Sequence, residues 1–465
     1  VTMLRITTLL RDAREHDEGF SIVEVLVAMT VFALIAAGVA TGIVGSLYLA
    51  QGSRSREVAI GLAQDAIDQA RTSTNLFGVV DKTSQTTIGN MTYTVTQVAR
   101  WIPTAGTGNA CGAGGGPLAY KRVSMTVSWT ASGRGATQSI AMNSMVAPST
   151  SVTAANLGTV IVSVTRAANG AGNQGVSVSI TPNASNPSGA TAITSAVPQT
   201  DATGCSYALN VKPGRYDVTL TKSGNIDDGT SANSLGTQTT APSATVTVGA
   251  NQTSAANFNY DSASTYTLKW QDPTNTTAAM TLPTSAPVTL RRKTTDIGPL
   301  TTTTTQAFPF TDGYRAVAGS PSKCLSTDPV NWPANGAAVV PPVAAVAPAN
   351  AGDPVTAYAP VQAVQVTLAD PNDNVLTATT TTPVANSGDP GCATTTTYTF
   401  TGVSKNPTVA LPYGTYTFSS GKVLKILGGI IQISFSPGTA NATPANGVTI
   451  TPGKTMLDPR RVPTP

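Results

Sequence analysis

Glutamate vanishes from this chain after residue 57. Glu15, Glu18, Glu24 and Glu57 are all that its 465 residues contain. Glutamate favours helices and is depleted in strands, so its loss argues against a helical outer part and for β structure. Charge of either sign is scarce as well, at 11% of residues against about 25% in ordinary soluble domains. The formal net charge of +4 is dispersed, with only short basic clusters such as Arg291-Arg292-Lys293 and Arg460-Arg461. A nucleic-acid footprint needs a denser basic stripe, so nucleic acid is not an expected partner. The single histidine is His16, and no Gly-x-Ser-x-Gly elbow, phosphate loop or metal-spaced ligand cluster occurs. The Asp227-Asp228 pair reads as part of a polar loop. The expectation is therefore a non-enzyme with no catalytic residue, cofactor or metal.

Cysteine is also sparse. Cys111, Cys205, Cys324 and Cys392 stand far apart without any CxxC pair, which excludes a zinc ribbon or a thioredoxin-like motif. In an oxidising space they are candidate disulfide cysteines, and four cysteines allow three pairings among which spacing does not choose.

The chain is instead rich in Thr, Ser, Ala, Gly and Val. Its 42 Gly and 32 Pro, with recurring alternating Val/Ile/Thr/Tyr runs, predict short strands joined by turns. One long apolar run stands apart. From Phe20 to Ala50 the only ionisable side chains are Glu24 and the phenol of Tyr48. The run exceeds the ~20 residues that a spanning helix needs, which predicts contact with a membrane through residues 20–50. A cleaved secretory signal has a shorter apolar core and a processing site after it. Here the polar boundary lies before the core, at Gly19. A charge deep in hydrocarbon costs roughly 2.5–3.5 kcal/mol, so Glu24 calls for a compensating partner.

The stretch Glu18-Gly19-Phe20-Ser21-Ile22-Val23-Glu24-Val25-Leu26 resembles the class III signal of type IV pilins and pseudopilins. The resemblance implies a prepilin leader at 1–19, cleavage by a prepilin peptidase between Gly19 and Phe20, and methylation of the new amino terminus at Phe20. It also implies that Glu24 of an incoming subunit neutralises the terminal amine of its neighbour during assembly. The leader mixes Arg5, Arg11 and Arg14 with Asp12, Glu15, Asp17 and Glu18, and its length stays open because the chain begins at Val1. Many pilins carry a proline mid-helix, whereas this chain has Gly38, Gly42 and Gly45, expected to loosen the helix there.

Beyond the apolar run, SREVAIGLAQDAIDQART continues at helical spacing, with Ile60, Ala63, Ile67 and Ala70 as its expected apolar stripe. Asn75 to Gly78 should end the helix. MTYTVTQVAR, YKRVSMTVSW and ATQSIAMNSMV then predict a small antiparallel sheet over 82–147, with Val123, Met125, Val127 and Trp129 sharing one face. The expected fold class is an α+β pilin module at 20–150, with its helix at about 20–75, followed by all-β sandwich modules.

Three segments share an ending: KPGRYDVTLTKSG (212–224), PFTDGYRAVAG (309–319) and LPYGTYTFSSG (411–421). Each brings a proline and a turn glycine before a strand tyrosine, which suggests repeated modules. Residues 151–262 resemble the prealbumin-like, or carboxypeptidase-regulatory-like, sandwich, a structural or adhesive module. A weaker β-rich segment with a Pro/Ala-rich linker is expected at 263–350, and a last sandwich with a C-terminal tail at 351–465. KVLKILGGIIQISF near the end is short and glycine-broken, so it predicts a buried strand pair rather than a second span.

These expectations add up to a minor type IV pilus subunit, placed at the tip or sparsely because its head is bulky. Its partners would be other pilin subunits, the assembly machinery and a surface or cell ligand. It would be single-pass in the membrane before assembly, with its N-terminus cytoplasmic and its bulk outside. The other classes are a pseudopilin of a secretion machine and an anchored adhesin that never polymerises.

Overall fold

The computed structural model describes residues 21–103, 111, 118–130, 136–147, 154–167, 169–336, 343–425 and 431–460. One long N-terminal helix is followed by many β-sheets, and the described chain is mostly β. It forms two compact units. The first joins the residues up to 100 with 120–149, and the second joins 101–119 with 150–465.

In the first unit, helix α1 (Ile22–Arg71) runs without a break through Gly38, Gly42 and Gly45. The expected loosening is absent: the helix stays continuous there, although the Thr41 hydroxyl donates to the carbonyls of Ala37 and Gly38, at 3.0 and 2.9 Å, a contact that by itself favours bending. The outer part of α1 packs against β4 (Thr137–Val146), the edge of a sheet ordered β1-β2-β3-β4. The other strands are β1 (Lys82–Ile88), β2 (Met91–Pro103) and β3 (Leu118–Thr130). The buried stripe of α1 is Ser55, Ala59, Ala63, Ile67 and Ala70, spaced at three and four residues as one helix face requires. Ile60, expected on that stripe, is 37% exposed and Ala59 takes its place. Small residues dominate the face because they let helix and sheet backbones approach closely.

The helix stops where expected. The Thr72 hydroxyl donates to Asp68 O at 3.0 Å, and Asn75 Oδ1 accepts the N–H of Phe77 to start a single 3-10 turn at Leu76–Gly78. On β3, Val123, Met125 and Val127 are completely buried, each contributing about 1.5–3 kcal/mol by leaving water. The buried Lys121 donates from Nζ to Leu76 O at 3.1 Å, tying the sheet to the turn after the helix.

The second unit begins with a two-sheet sandwich. One sheet runs β7-β5-β11-β9 and the other β10-β8-β6, from β5 (Gly158–Thr165), β6 (Ser177–Pro182), β7 (Cys205–Val211), β8 (Gly214–Thr221), β9 (Asn225–Asp227), β10 (Ser243–Val248) and β11 (Thr253–Ser262). Val160, Val162, Val164, Val218, Leu220, Phe258 and Tyr260 fill the space between the sheets. Asp227, read from sequence as part of a polar loop, lies in β9 and is fully buried. It accepts the N–H of Thr239 at 2.5 Å, and burial raises its pKa.

The more distal residues carry the remaining strands, β12 to β26. The sequence reading placed a boundary near 350, yet strands on either side of it pair. β12 (Ser264–Gln271) runs parallel to β17 (Val355–Pro360), and one hydrophobic core extends from Tyr266 to Leu457. The C-terminal strand pair forms between β22 (Gly414–Lys425) and β23 (Ile431–Phe435), but Phe435 at its far end is 54% exposed rather than buried.

The recurring tyrosines mark corners where the chain passes between sheets. β7 and β8 belong to opposite sheets, and Tyr216 Oη donates back to Lys212 O at 3.0 Å across that corner. β21 (Thr408–Leu411) and β22 also lie in different sheets, and Tyr416 Oη donates to Pro412 O at 2.9 Å. The spacing is four residues in both. Glycine is needed at the first corner because a Cβ on Gly214 would sit 2.2 Å from Ala190 N. The third member differs: Tyr314 Oη reaches Phe308 O, six residues back, at 3.0 Å.

Candidate functional site

The functional features converge on the first turns of α1. Ser21 is the N-cap, in extended conformation, and its hydroxyl accepts the N–H of Val23 at 3.3 Å. Glu24 follows three residues later, in the first turn, and is exposed. The Ser-x-x-Glu spacing is the capping-box pattern, a signal for the helix start that the sequence reading passed over. The Gly19–Phe20 junction, and Phe20 as the methylated terminus, lie outside the described residues.

From Ile22 to Ala50 every side chain is exposed. Ile22, Phe32, Leu34 and Leu49 are each more than 70% exposed, on a helix whose apolar window has a mean hydropathy of 2.5. No soluble fold leaves so much apolar surface uncovered without a partner for it. The serine and threonine hydroxyls within this stretch look after themselves. Thr30, Thr41 and Ser46 each donate to a backbone carbonyl three or four residues earlier, at 2.8–3.0 Å. Internal satisfaction of this kind is what hydrocarbon demands of a polar group.

Glu24 is the exception. A position in the first turn is favourable to a carboxylate, by about 0.3–1 kcal/mol at an exposed site. That is well short of the roughly 2.5–3.5 kcal/mol that a charge costs in the bilayer. The next charged residue along the helix is Arg54. At 1.5 Å per residue it is about 45 Å away, so no cation on the described helix can reach Glu24. A partner must come from the amino terminus or from another molecule.

Residues 16–40 match the family described as the prokaryotic N-terminal methylation motif. The chain carries a class III prepilin motif. That motif implies processing by a prepilin peptidase, association with pilus or secretion machinery, and anchoring in the inner membrane through the helix before assembly. Proteins with this motif are typically non-enzymatic. No curated protein matches the chain.

The prepilin motif ends well before the second unit, where the four cysteines lie. Cys111 is bonded to Cys205 and Cys324 to Cys392, closing spans of 94 and 68 residues. Cys205 opens β7, directly after Gly204, and Cys392 directly follows Gly391, so both disulfides include a cysteine preceded by glycine. The Cys324–Cys392 bond borders a carboxylate hub at Asp389. This group accepts from the hydroxyls of Ser326 and Thr415 and from the N–H of Gly391.

Proposed function

We propose that this chain is a minor subunit of a type IV pilus, cut between Gly19 and Phe20 and methylated on Phe20. Its helix enters the fibre and its β-rich units face the outside, where they serve adhesion. The observation that carries this reading is Glu24: a lone carboxylate, five positions beyond a Gly-Phe junction, heading a helix that is apolar and uncovered for its first 29 residues. In an assembled fibre the terminal amine of a neighbouring subunit meets that carboxylate. Two charges that are each costly alone become a pair that sets axial register.

Two further features support an extracytoplasmic location. Disulfides persist in oxidising spaces, and both bonds here lie in the unit beyond the membrane helix. The size of the outer units argues for placement at the tip or sparsely along the shaft, because a bulky head at every helical position would crowd its neighbours. The sandwich at 151–262 fits the prealbumin-like class as a structural or adhesive module.

The test is the amino terminus of protein sheared from the cell surface, read by peptide mass spectrometry. The expected peptide begins at Phe20 and carries one added methyl group. An intact leader, with recovery only from membranes, would overturn the fibre reading and leave an anchored adhesin. A methylated Phe20 on protein found only with a secretion apparatus would instead identify a pseudopilin.

A further inference from the structure

We propose that Lys222 and Asn173 become joined by an intramolecular isopeptide bond that closes the first sandwich covalently. Asn173 stands just before β6 and Lys222 just after β8, two strands that pair antiparallel with Ser177 opposite Thr221. Their side chains meet where these strand ends come together. Lys222 Nζ lies 2.8 Å from Asn173 Oδ1 and 2.7 Å from Gln174 O.

The carboxamide is held for reaction. Asn173 is 1% exposed, and its Nδ2 donates to Tyr260 O at 2.7 Å, which turns its carbonyl oxygen to the amine. The loop around it is fixed as well. Asn173 N donates to Val164 O at 2.9 Å and Gly175 N to Thr200 O at 2.8 Å. The backbone of Lys222 is bound to the same tyrosine, whose hydroxyl accepts the Lys222 N–H at 3.0 Å. Tyr260 therefore orients both partners, one through its carbonyl and the other through its phenol. Positioning of this kind converts a very slow amide exchange into an effectively unimolecular step.

The chemistry balances without any further reagent. The neutral amine of Lys222 attacks Cγ of Asn173 and forms a tetrahedral adduct. A proton passes from Nζ to Nδ2, the Cγ–Nδ2 bond breaks and ammonia leaves. One amide replaces another, with no change in oxidation state. A lysine nucleophile must first lose its proton. Burial of the amine and the nearby charge of Arg166 both lower its pKa, with Asp261 acting in the opposite direction. The proposal is independent of whether the chain enters a fibre.

Peptide mapping of the full-length, reduced protein by tandem mass spectrometry decides it. The expected product is a branched peptide that joins the Lys222 and Asn173 segments, lighter by one ammonia than the two together, with no tryptic cleavage after Lys222. In Lys222→Arg, which keeps charge and donors but cannot form this amide, the branched species falls from the main product to none. Two linear peptides with unmodified Lys222 and Asn173 in the wild-type protein would overturn the proposal and leave a simple hydrogen bond. The wild-type map gives this answer even if the variant folds poorly.

Discussion

Two carboxylates, Glu24 and Asp328, occupy opposite situations. Asp328 is 1% exposed and sits between Arg291, at 2.9 Å, and Arg315, whose two guanidinium nitrogens span its two oxygens. Arg291 is further braced by Asp296 at 2.7 and 2.8 Å. A buried charge is tolerated when it is paired and hydrogen-bonded, and Asp328 meets that condition inside its own unit. Glu24 heads an uncovered apolar helix with no cation within reach along it. The first charge completes its pairing when the chain folds; the second has no cation within reach along the described helix, and under the proposed function its partner is the terminal amine of another subunit. A costly group that folding leaves without a partner is a pointer to function, and one that folding satisfies points to architecture.

The sharpest way to break this comparison is Glu24→Ala. Removing the carboxylate strands the amine that it would neutralise. The expected loss in fibre incorporation is roughly a hundredfold, from a cost of about 2.5–3.5 kcal/mol at 1.4 kcal/mol per tenfold. Quantitative blotting of sheared fibres against membranes reads the loss, and the melting temperature of the outer units should not move. A variant that assembles normally would show that Glu24 is only a helix-start residue.

Arg315→Ala tests the other carboxylate with the opposite pattern. It leaves Asp328 buried with Arg291 as its remaining cation, and destabilisation by about 3 kcal/mol is expected, measured by denaturant unfolding. Membrane insertion and leader processing should be unaffected. pH sharpens the contrast. Burial alone would raise the pKa of Asp328, but Arg315 and Arg291 hold it below the usual carboxylate range. A depressed folded-state pKa contributes stability that is present above the unfolded value of about 3.9 and is lost as pH falls through the folded value. The wild-type protein should therefore lose stability below about pH 4, and Arg315→Ala should flatten that acid arm.

Much of this was legible in the residues themselves. The helix, its end near Asn75 and the buried face of β3 follow from spacing, because periodicity is a local property. The turn glycine before a strand tyrosine was readable for the same reason, but that these turns are corners between sheets, and that Tyr314 makes a longer return, was not visible in the pattern. Partner choice over long distances was not legible. Neither the pairing of Cys111 with Cys205 nor the parallel contact of β12 with β17 across residue 350 leaves a mark in either segment alone. That Ala59 rather than Ile60 joins Ala63, Ile67 and Ala70 on the buried face was not legible either, because spacings of three and four residues place both near that face. At the site, the apolar run and Glu24 were plain, and the capping role of Ser21 was also written in the Ser-x-x-Glu spacing, although it was passed over.

The two matched corners offer the smallest and most discriminating test of the idea that buried polar groups must be satisfied within the fold. Tyr216 and Tyr416 are both fully buried and each hydroxyl returns four residues. Their acceptors differ. Pro412 is buried, so Tyr416→Phe strands its carbonyl away from water and should cost about 1–2 kcal/mol. Lys212 is exposed, so water can replace the lost donor, and Tyr216→Phe should cost only about 0.5 kcal/mol. Tyr216 also accepts the N–H of Thr191 at 3.2 Å, but Thr191 is exposed and can be rehydrated in the same way. Parallel urea titrations of the two variants measure the difference. Equal costs would mean that the corner geometry, rather than the burial of the acceptor, sets the value of the bond.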